Sequence, residues 1–389
     1  MHAYALLAAA FAAPAFAQGL NETYIEGLLK TLNATGLTGL STVAASLSNN
    51  TNAAALLSSL SQGNKTVFAP NNAAFGAVPS NVSSNADLLA SILSYHVADG
   101  HLNASDFAAA PNHTIARTFL NNSELVTLEA NRGQVIVAER TSNGSVVILE
   151  PTTNVTVLQT ATYENLIVHV INKVLNIPQT ISETASAAGL SALVGALQSA
   201  NLVAPLEAAH GITIFAPSNQ GFQAALAALG SQAQNATVIS SVLANHVING
   251  TSVYSTGLAS QSFASAGGQG FSFSSNSSGT YVTSGSSSAR IIRADIPVKN
   301  GVVHLIDNVL ANTQSNPEAA ASAVASQSSV AATATSIPGQ TAGGSGPAPS
   351  GSPSNNASLR TAGTLPGTAV ILSVAAAAMG ALLGGMLVL

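Results

Sequence analysis

The sequence predicts an α+β fold made twice, with several α-helices packed on a strongly bent β-sheet or sandwich in each of two tandem domains. Three repeated segments indicate the duplication. TVFAPNNAAF at 66–75 returns as TIFAPSNQGF at 213–222, LSYHV at 93–97 as LANHV at 243–247, and NLIVHVINKVL at 165–175 as NGVVHLIDNVL at 300–310. The spacing between copies is close to an ordinary domain length, which favours two globular domains over a solenoid of short repeats.

The first elements of the first copy follow from its apolar spacing. Residues 25–47 carry leucine, isoleucine and valine at helical intervals, which predicts amphipathic helices. Val67 and Phe68 suit a short buried strand that Pro70 ends. Asn71 then stands at the position of a helix cap, and the helix that follows carries Phe75 inward.

The apolar period changes later in this copy from helical to alternating. Residues 88–93 form one more helical face. The runs at 125–128, 135–137 and 146–149 alternate and are separated by segments that contain Asn and Gly, which predicts an antiparallel meander.

The second copy repeats the same order of elements. Residues 190–197 have helical spacing, Ile214 and Phe215 suit the buried strand, Pro217 ends it, and Ser218 stands at the cap position. A serine- and glycine-rich stretch at 261–288 replaces much of the meander. This stretch predicts shorter strands and a looser hairpin than in the first copy.

The three landmarks together resemble the pattern of fasciclin-like FAS1 domains. The resemblance covers roughly residues 22–313, and SARIIRADIPVKNGVVHLIDNVL at 288–310 is similar to the usual end of such a domain. It implies a first FAS1-like domain at 18–177 and a second at 178–313. In this family the Tyr-His neighbourhood is implicated in adhesion. The resemblance therefore implies a candidate adhesion surface at Tyr95, His96, Asn245 and His246.

A structural role is the alternative for the two histidines of that surface. His96 and His246 each follow a predicted helix and precede a turn that contains glycine. A histidine at this position can satisfy carbonyl groups at the helix end. The sequence leaves both interpretations open.

The composition indicates a secreted glycoprotein. Only 6% of the residues are charged, and cysteine and tryptophan are absent. A soluble surface with so few charges needs another source of hydration, which N-linked glycans would supply. The alternative is that acceptor motifs arise by chance in a chain rich in Asn, Ser and Thr. The acceptor asparagines are Asn21, Asn33, Asn49, Asn64, Asn81, Asn103, Asn112, Asn121, Asn143, Asn154, Asn235, Asn249, Asn276 and Asn356.

The two ends of the chain suggest the same compartment. Residues 1–17 form an apolar run that ends in Ala-Phe-Ala, which predicts a signal peptide cleaved before Gln18. After the second domain, residues 314–356 are rich in Ser, Ala, Pro and Gly. Such a composition predicts a disordered, O-glycosylated stalk.

The last segment, 357–389, predicts a glycosylphosphatidylinositol (GPI) attachment signal that is removed. Its tail from Thr368 onward is apolar and carries no Lys or Arg behind it. The expected attachment site is Asn356, with Asn355 or Ser354 as near equals. A tail of this length retained as a transmembrane span is the alternative.

Catalytic, cofactor and metal sites are not predicted. His96, His101 and His113 lie near one another in sequence, but nothing fixes the convergent geometry that zinc requires. His169 and His304 lie in apolar strands, which predicts core or sheet-edge positions. There is no G-x-S-x-G or phosphate-binding loop, and the net charge of −5 argues against nucleic-acid binding. The acidic residues expected to be solvated are Glu22, Glu124, Glu129, Glu139, Glu150 and Glu164.

The predicted function is non-enzymatic adhesion at the cell surface. The expected partners are wall or matrix polysaccharides and glycoproteins and other surface proteins, and the expected membrane contact is the lipid anchor. Two domains on one stalk would allow bivalent binding, and this layout suits a fungal cell-surface protein. One alternative is a fasciclin-like protein retained in an internal membrane such as the vacuole, acting in trafficking or fusion. Another is a cell-wall hydrolase or transferase.

Overall fold

The computed structural model describes residues 22–47 and 50–333. The predicted signal peptide, the anchor signal and the stalk beyond residue 333 lie outside these residues. So do the acceptors Asn21, Asn49 and Asn356 and the anchor-site alternatives. Within the described part of the chain, no helix is long and apolar enough to cross a membrane.

The first domain begins with helices and continues into a sheet. Its helices are α1 Glu22–Ala34, α2 Thr38–Ser46, α3 Thr51–Leu60, α4 Asn72–Gly76, α5 Ser80–Ser83 and α6 Ala86–Tyr95. Its strands are β1 Lys65–Pro70, β2 Val97–Asp99, β3 Thr114–Arg117, β4 Val135–Arg140, β5 Val146–Ile148, β6 Val155–Tyr163 and β7 Leu166–Ile171. Short 3₁₀ turns lie at Ala104–Asp106 and Glu129–Asn131.

The second domain repeats this order and ends in a further helix. Its helices are α7 Ile181–Ala187, α8 Ser191–Ser199, α9 Val203–Glu207, α10 Asn219–Leu229 and α11 Ala236–Ala244, followed by α12 Pro317–Thr333. Its strands are β8 Ile212–Pro217, β9 Val247–Asn249, β10 Phe263–Ala264, β11 Gly270–Asn276, β12 Gly279–Ser284, β13 Ser287–Val298 and β14 Gly301–Ile306. The 3₁₀ turns lie at Gly230–Gln234 and Ser255–Gly257.

The two sheets have the same topology. The strand order of the first is β2-β1-β7-β6-β5-β4-β3, and the second runs β9-β8-β14-β13-β12-β11-β10 from the corresponding edge. In each sheet the strand of the TxFAP motif pairs in parallel with the last strand of the domain, β1 with β7 and β8 with β14. The other strand pairs are antiparallel. The predicted α+β fold, made twice, is confirmed.

The repeated TxFAP motif forms a strand, a stop and a capped helix, as its residues predict. Asn71 Oδ1 accepts a hydrogen bond from Ala74 N at 2.8 Å, and Ser218 Oγ accepts one from Gly221 N at 3.1 Å. Each proline is the last residue of its strand. The motif is therefore part of the framework of both domains.

Strand β7 is buried on both faces, which explains its nearly continuous apolar sequence. Leu166, Val168 and Val170 pack in the cluster that contains the helix residues Leu28 and Leu32. Ile171 packs in the cluster on the other side, with Phe68 and Ile136. Because successive side chains of a strand point to opposite faces, the sheet of the first domain has an apolar layer on each face.

Two predictions about the meander are wrong. Residues 125–128 are not a strand, and β3 supplies the edge of the sheet instead. Val126 and Leu128 are buried, so the alternating apolar pattern correctly indicated one buried face. It did not show whether these residues pair with a neighbouring strand. In the second domain the serine-rich stretch forms a regular hairpin of two strands, β11 with 7 residues and β12 with 6, which pair in register over six residues.

The predicted disordered stalk begins with a helix. Helix α12 covers 317–333, so the expectation of disorder from residue 314 is wrong for these residues. Alanine-rich sequence has high helix propensity, and Asn316 Oδ1 accepts a hydrogen bond from Ala319 N in the first turn at 3.0 Å. The helix packs against the second domain through Ala320 and near Arg132 of the first domain through Ala331.

Candidate functional site

Tyr95 and His96 lie at the end of α6 and are buried. Tyr95 Oη donates a hydrogen bond to the carbonyl oxygen of Val135 at 3.0 Å. His96 Nδ1 is 2.7 Å from the carbonyl oxygen of Ile92, and His96 Nε2 accepts a hydrogen bond from Leu175 N at 2.9 Å. His96 thus joins the end of α6 to the segment that follows β7.

Asn245 and His246 occupy the same positions in the second domain. Asn245 Nδ2 donates to the carbonyl oxygens of Asn312 at 2.9 Å and Gln314 at 2.8 Å, and its Oδ1 accepts from Ser265 Oγ at 2.6 Å. His246 Nδ1 is 2.7 Å from Val242 O, and Nε2 accepts from Leu310 N at 2.8 Å.

The prediction that these four residues form an adhesion surface is wrong. Tyr95, His96, Asn245 and His246 are only 4%, 2%, 0% and 3% exposed. Both ring nitrogens of each histidine have backbone partners, which supports the structural alternative. Burial lowers the pKa of His96 and of His246 to about 4, although the carbonyl bonded to each Nδ1 acts in the opposite direction.

His169 on β7 and His304 on β14 also bond to backbone groups within their own domains. His169 Nε2 lies 2.9 Å from Leu102 O, and His304 Nε2 lies 2.9 Å from Val253 O. Both are fully buried, as the apolar sequence around them predicts. Burial lowers the pKa of each imidazole. Among the described residues, no group of three or more His, Asp and Glu side chains could hold a metal ion.

The two domains meet in a buried junction that the sequence did not predict. Ile115, Val135 and Val137 of the first domain form one apolar cluster with Tyr254 and Val302 of the second. The Tyr254 side chain is among the largest that are fully buried.

Hydrogen bonds surround this apolar centre. Thr127 N donates to Lys299 O at 3.0 Å, and Gln134 Nε2 donates to Val298 O at 3.0 Å. From the second domain, Arg293 Nη1 donates to Pro151 O at 2.8 Å. The junction therefore fixes the backbone of both domains as well as their side chains.

A buried acid, Asp295, is the charged centre of the junction. Its Oδ2 is 2.7 Å from His113 Nδ1 of the first domain, and its Oδ1 accepts a hydrogen bond from Ser255 N at 2.6 Å. Burial acts to raise the pKa of Asp295, but the hydrogen bond from His113, the charges of His304 and His113 and the hydrogen bond from Ser255 together lower it. The carboxylate is thus held in its charged form inside the protein.

The prediction that the acidic residues are solvated is wrong for Glu129 and Glu150, which are buried. Ser252 Oγ of the second domain donates to Glu129 Oε2 at 2.7 Å. Burial raises the pKa of Glu129, while this hydrogen bond and the charges of Arg117 and Arg132 oppose the rise. Glu129 follows an apolar run, which is the one sequence signal that could have indicated its burial.

Most described acceptor asparagines are on the surface. Asn249 is half-buried. The exposed ones are Asn33, Asn64, Asn81, Asn103, Asn112, Asn121, Asn143, Asn154, Asn235 and Asn276. These positions leave room for bulky glycans without disturbing the core.

Two domains of one topology, each framed by the same buried histidines and joined by a buried junction, define a tandem-repeat protein of two similar modules. A protein-family model, the Fasciclin domain, matches residues 39–178 and 188–312, which is more than half of the chain. The chain belongs to the fasciclin family.

Similar proteins occur in distant organisms. A fasciclin-like arabinogalactan protein of Arthroderma benhamiae is 28% identical over 59% of this chain and 52% of its own length. Protein sll1483 of Synechocystis is 32% identical over 31% of this chain and 66% of its own length. The chain therefore spans about half of the first relative and just under two thirds of the second.

One solved structure that is similar to this chain is a FAS1 domain pair from the insect cell adhesion molecule fasciclin I. It is 18% identical, and the match covers 69% of this chain and 95% of that one with a TM-score of 0.34.

Proposed function

We propose that this chain is a non-enzymatic cell-surface glycoprotein whose fasciclin domains mediate adhesion to wall or matrix polymers. The observation that carries the proposal is the outward position of ten acceptor asparagines around a pair of joined domains. The word arabinogalactan in the name of the fungal relative also fits a glycosylated protein. Because charged residues are only 6% of the chain, glycans would supply much of the surface hydration.

Adhesion is tested with beads that carry the full-length protein. We expect them to bind purified wall or matrix polymer more strongly than beads carrying a glycoprotein of similar glycan content without fasciclin domains. Cells that lack the protein should lose attachment or aggregation. Equal binding by the two kinds of bead would refute adhesion through these domains.

Removal of N-linked glycans is expected to lower the mass and the solubility of the protein. The physical reason is that few charged side chains remain to hydrate the surface. Treatment with a peptide N-glycosidase, followed by mass spectrometry and a precipitation assay, measures both effects. The control is protein incubated with heat-inactivated enzyme. An unchanged mass would show that the acceptors are unused.

The proposed location is the outer leaflet of the plasma membrane or the cell wall. The proposed attachment is a GPI anchor at Asn356, with Asn355 and Ser354 as alternatives, after removal of the 1–17 and 357–389 segments. Phospholipase specific for phosphatidylinositol is expected to release the protein from intact cells. Protein that stays on membranes with its apolar tail intact would instead favour the retained form in an internal compartment.

A further inference from the structure

A small cavity of about 50 Å³ lies where the two domains and helix α12 meet. Its walls include Glu129 and Arg132 of the first domain, Tyr254 and Phe263 of the second, and Gln327 of α12. Since one water molecule needs roughly 10–15 Å³ of such a cavity, the cavity holds only a few polar atoms. It could take the edge of a polar molecule but not a whole sugar ring.

Two buried polar atoms beside this cavity lack a partner. Tyr254 Oη and Gln327 Oε1 have no hydrogen bond to any described residue. The Tyr254 side chain is fully buried and its hydroxyl stays neutral, because burial raises its pKa far above the physiological range. Buried polar groups are almost always hydrogen-bonded, so these two call for a bound partner.

The charges around the cavity decide which chemical class fits it. Two charged residues line the cavity itself: Glu129 disfavours an anion, and Arg132 disfavours a cation. A neutral molecule with several hydroxyl groups suits both, because each hydroxyl can donate to Glu129 or Gln327 and accept from Tyr254 or Arg132. Phe263 and Val330 add apolar wall for the carbon atoms of such a ligand.

We infer that this cavity binds the hydroxyl-bearing edge of a neutral sugar residue, with α12 forming one wall. The inference rests on the proposed adhesion to polysaccharide and names where that ligand is held. Because the cavity is built from both domains, it occurs once in the described part of the chain, and each domain alone lacks part of it. Sugar binding would also strengthen the contact between the domains.

The test is calorimetric titration of the full-length protein with neutral oligosaccharides of glucose, mannose and N-acetylglucosamine. We expect at least one of them to bind with a stoichiometry of one per chain. Tyr254→Phe removes only the hydroxyl and is expected to weaken binding about tenfold, the value of one hydrogen bond in a buried site. Gln327→Met, on the largely exposed helix α12, is expected to have a similar effect.

The matched control is Tyr281→Phe, which removes a hydroxyl from β12 and leaves the walls of the cavity intact. It is expected to bind as the unaltered protein does. Equal affinity in Tyr254→Phe, Gln327→Met and the unaltered protein would overturn the inference. So would two sites per chain, or no binding by any of these sugars at millimolar concentration, as expected if the cavity holds only water. Bead adhesion that persists in Tyr254→Phe would overturn the location but leave the adhesion proposal standing.

Discussion

The protein is expected to lose much of its stability as the pH falls from 6.5 towards 4, because His96 and His246 must stay neutral in the fold. In each imidazole Nδ1 donates to a helix carbonyl, and Nε2 accepts from a backbone N–H. A proton on Nε2 would face that N–H and break the bond. Burial of each ring disfavours its charged form and lowers its pKa from 6.5 to about 4.

The direction of the effect follows from proton binding. Between pH 4 and 6.5 these two histidines are protonated in the unfolded chain but neutral in the folded one. The free energy of unfolding therefore decreases as the pH falls. The stabilisation is complete above pH 6.5 and is lost through this window, by roughly 3 kcal/mol for each histidine at 1.36 kcal/mol per pKa unit. His169 and His304 act in the same direction, while Glu129, whose pKa is raised, acts against it.

Denaturant unfolding at a series of pH values measures this effect. His96→Gln and His246→Gln can keep an acceptor for the backbone N–H but cannot titrate. We expect both variants to be less stable than the unaltered protein at pH 7 and to show a shallower fall of stability with acid. His210→Gln is the control, because His210 is exposed. An unchanged pH dependence of stability in the variant that carries both substitutions would contradict the role given to these two histidines.

Loss of the Asp295 carboxylate is expected to uncouple the two domains. Asp295→Ala would leave His113 of the first domain and Ser255 of the second without their buried partner. Leaving buried donors without their hydrogen-bond acceptor costs about 1–3 kcal/mol for each donor. Asp295 also has a positive φ of 59°, and alanine is disfavoured there, whereas asparagine tolerates it. Asp295→Asn is therefore expected to cost less than Asp295→Ala.

Scanning calorimetry distinguishes a local from a coupled effect. We expect Asp295→Ala to lower the unfolding temperature and to separate the melting of the two domains. Asp99→Ala is the control, because the Asp99 side chain is 66% exposed and its contact with Lys65 spans 3.5 Å. We expect this variant to lose little stability, because the Asp99 carboxylate is solvated and Lys65 Nζ keeps its hydrogen bond to Gln62 O at 2.6 Å. If the two alanine variants melt alike, the buried network does not hold the domains together.

The fold was predictable from the sequence where an element depends only on interactions between residues close together in the chain. The strand, proline and cap of the TxFAP motif need only neighbouring residues, and β7 shows its double burial as a continuous apolar run. The strand at 125–128 was predicted wrongly because alternation reports a buried face and not the identity of the neighbour. The regular hairpin of the second domain was missed because serine and glycine composition does not reveal ladder pairing.

The sequence by itself determined the duplication, the fold family and the acceptor asparagines, because each of these is carried by residue identity and spacing. Only the tertiary structure placed His96 and His246 in the core and brought His113 to Asp295 and Glu129 to Ser252. It also converted the start of the expected stalk into α12. The physical reason is that burial and pairing across domains depend on contacts between residues far apart in the chain, for which a single sequence carries no local pattern.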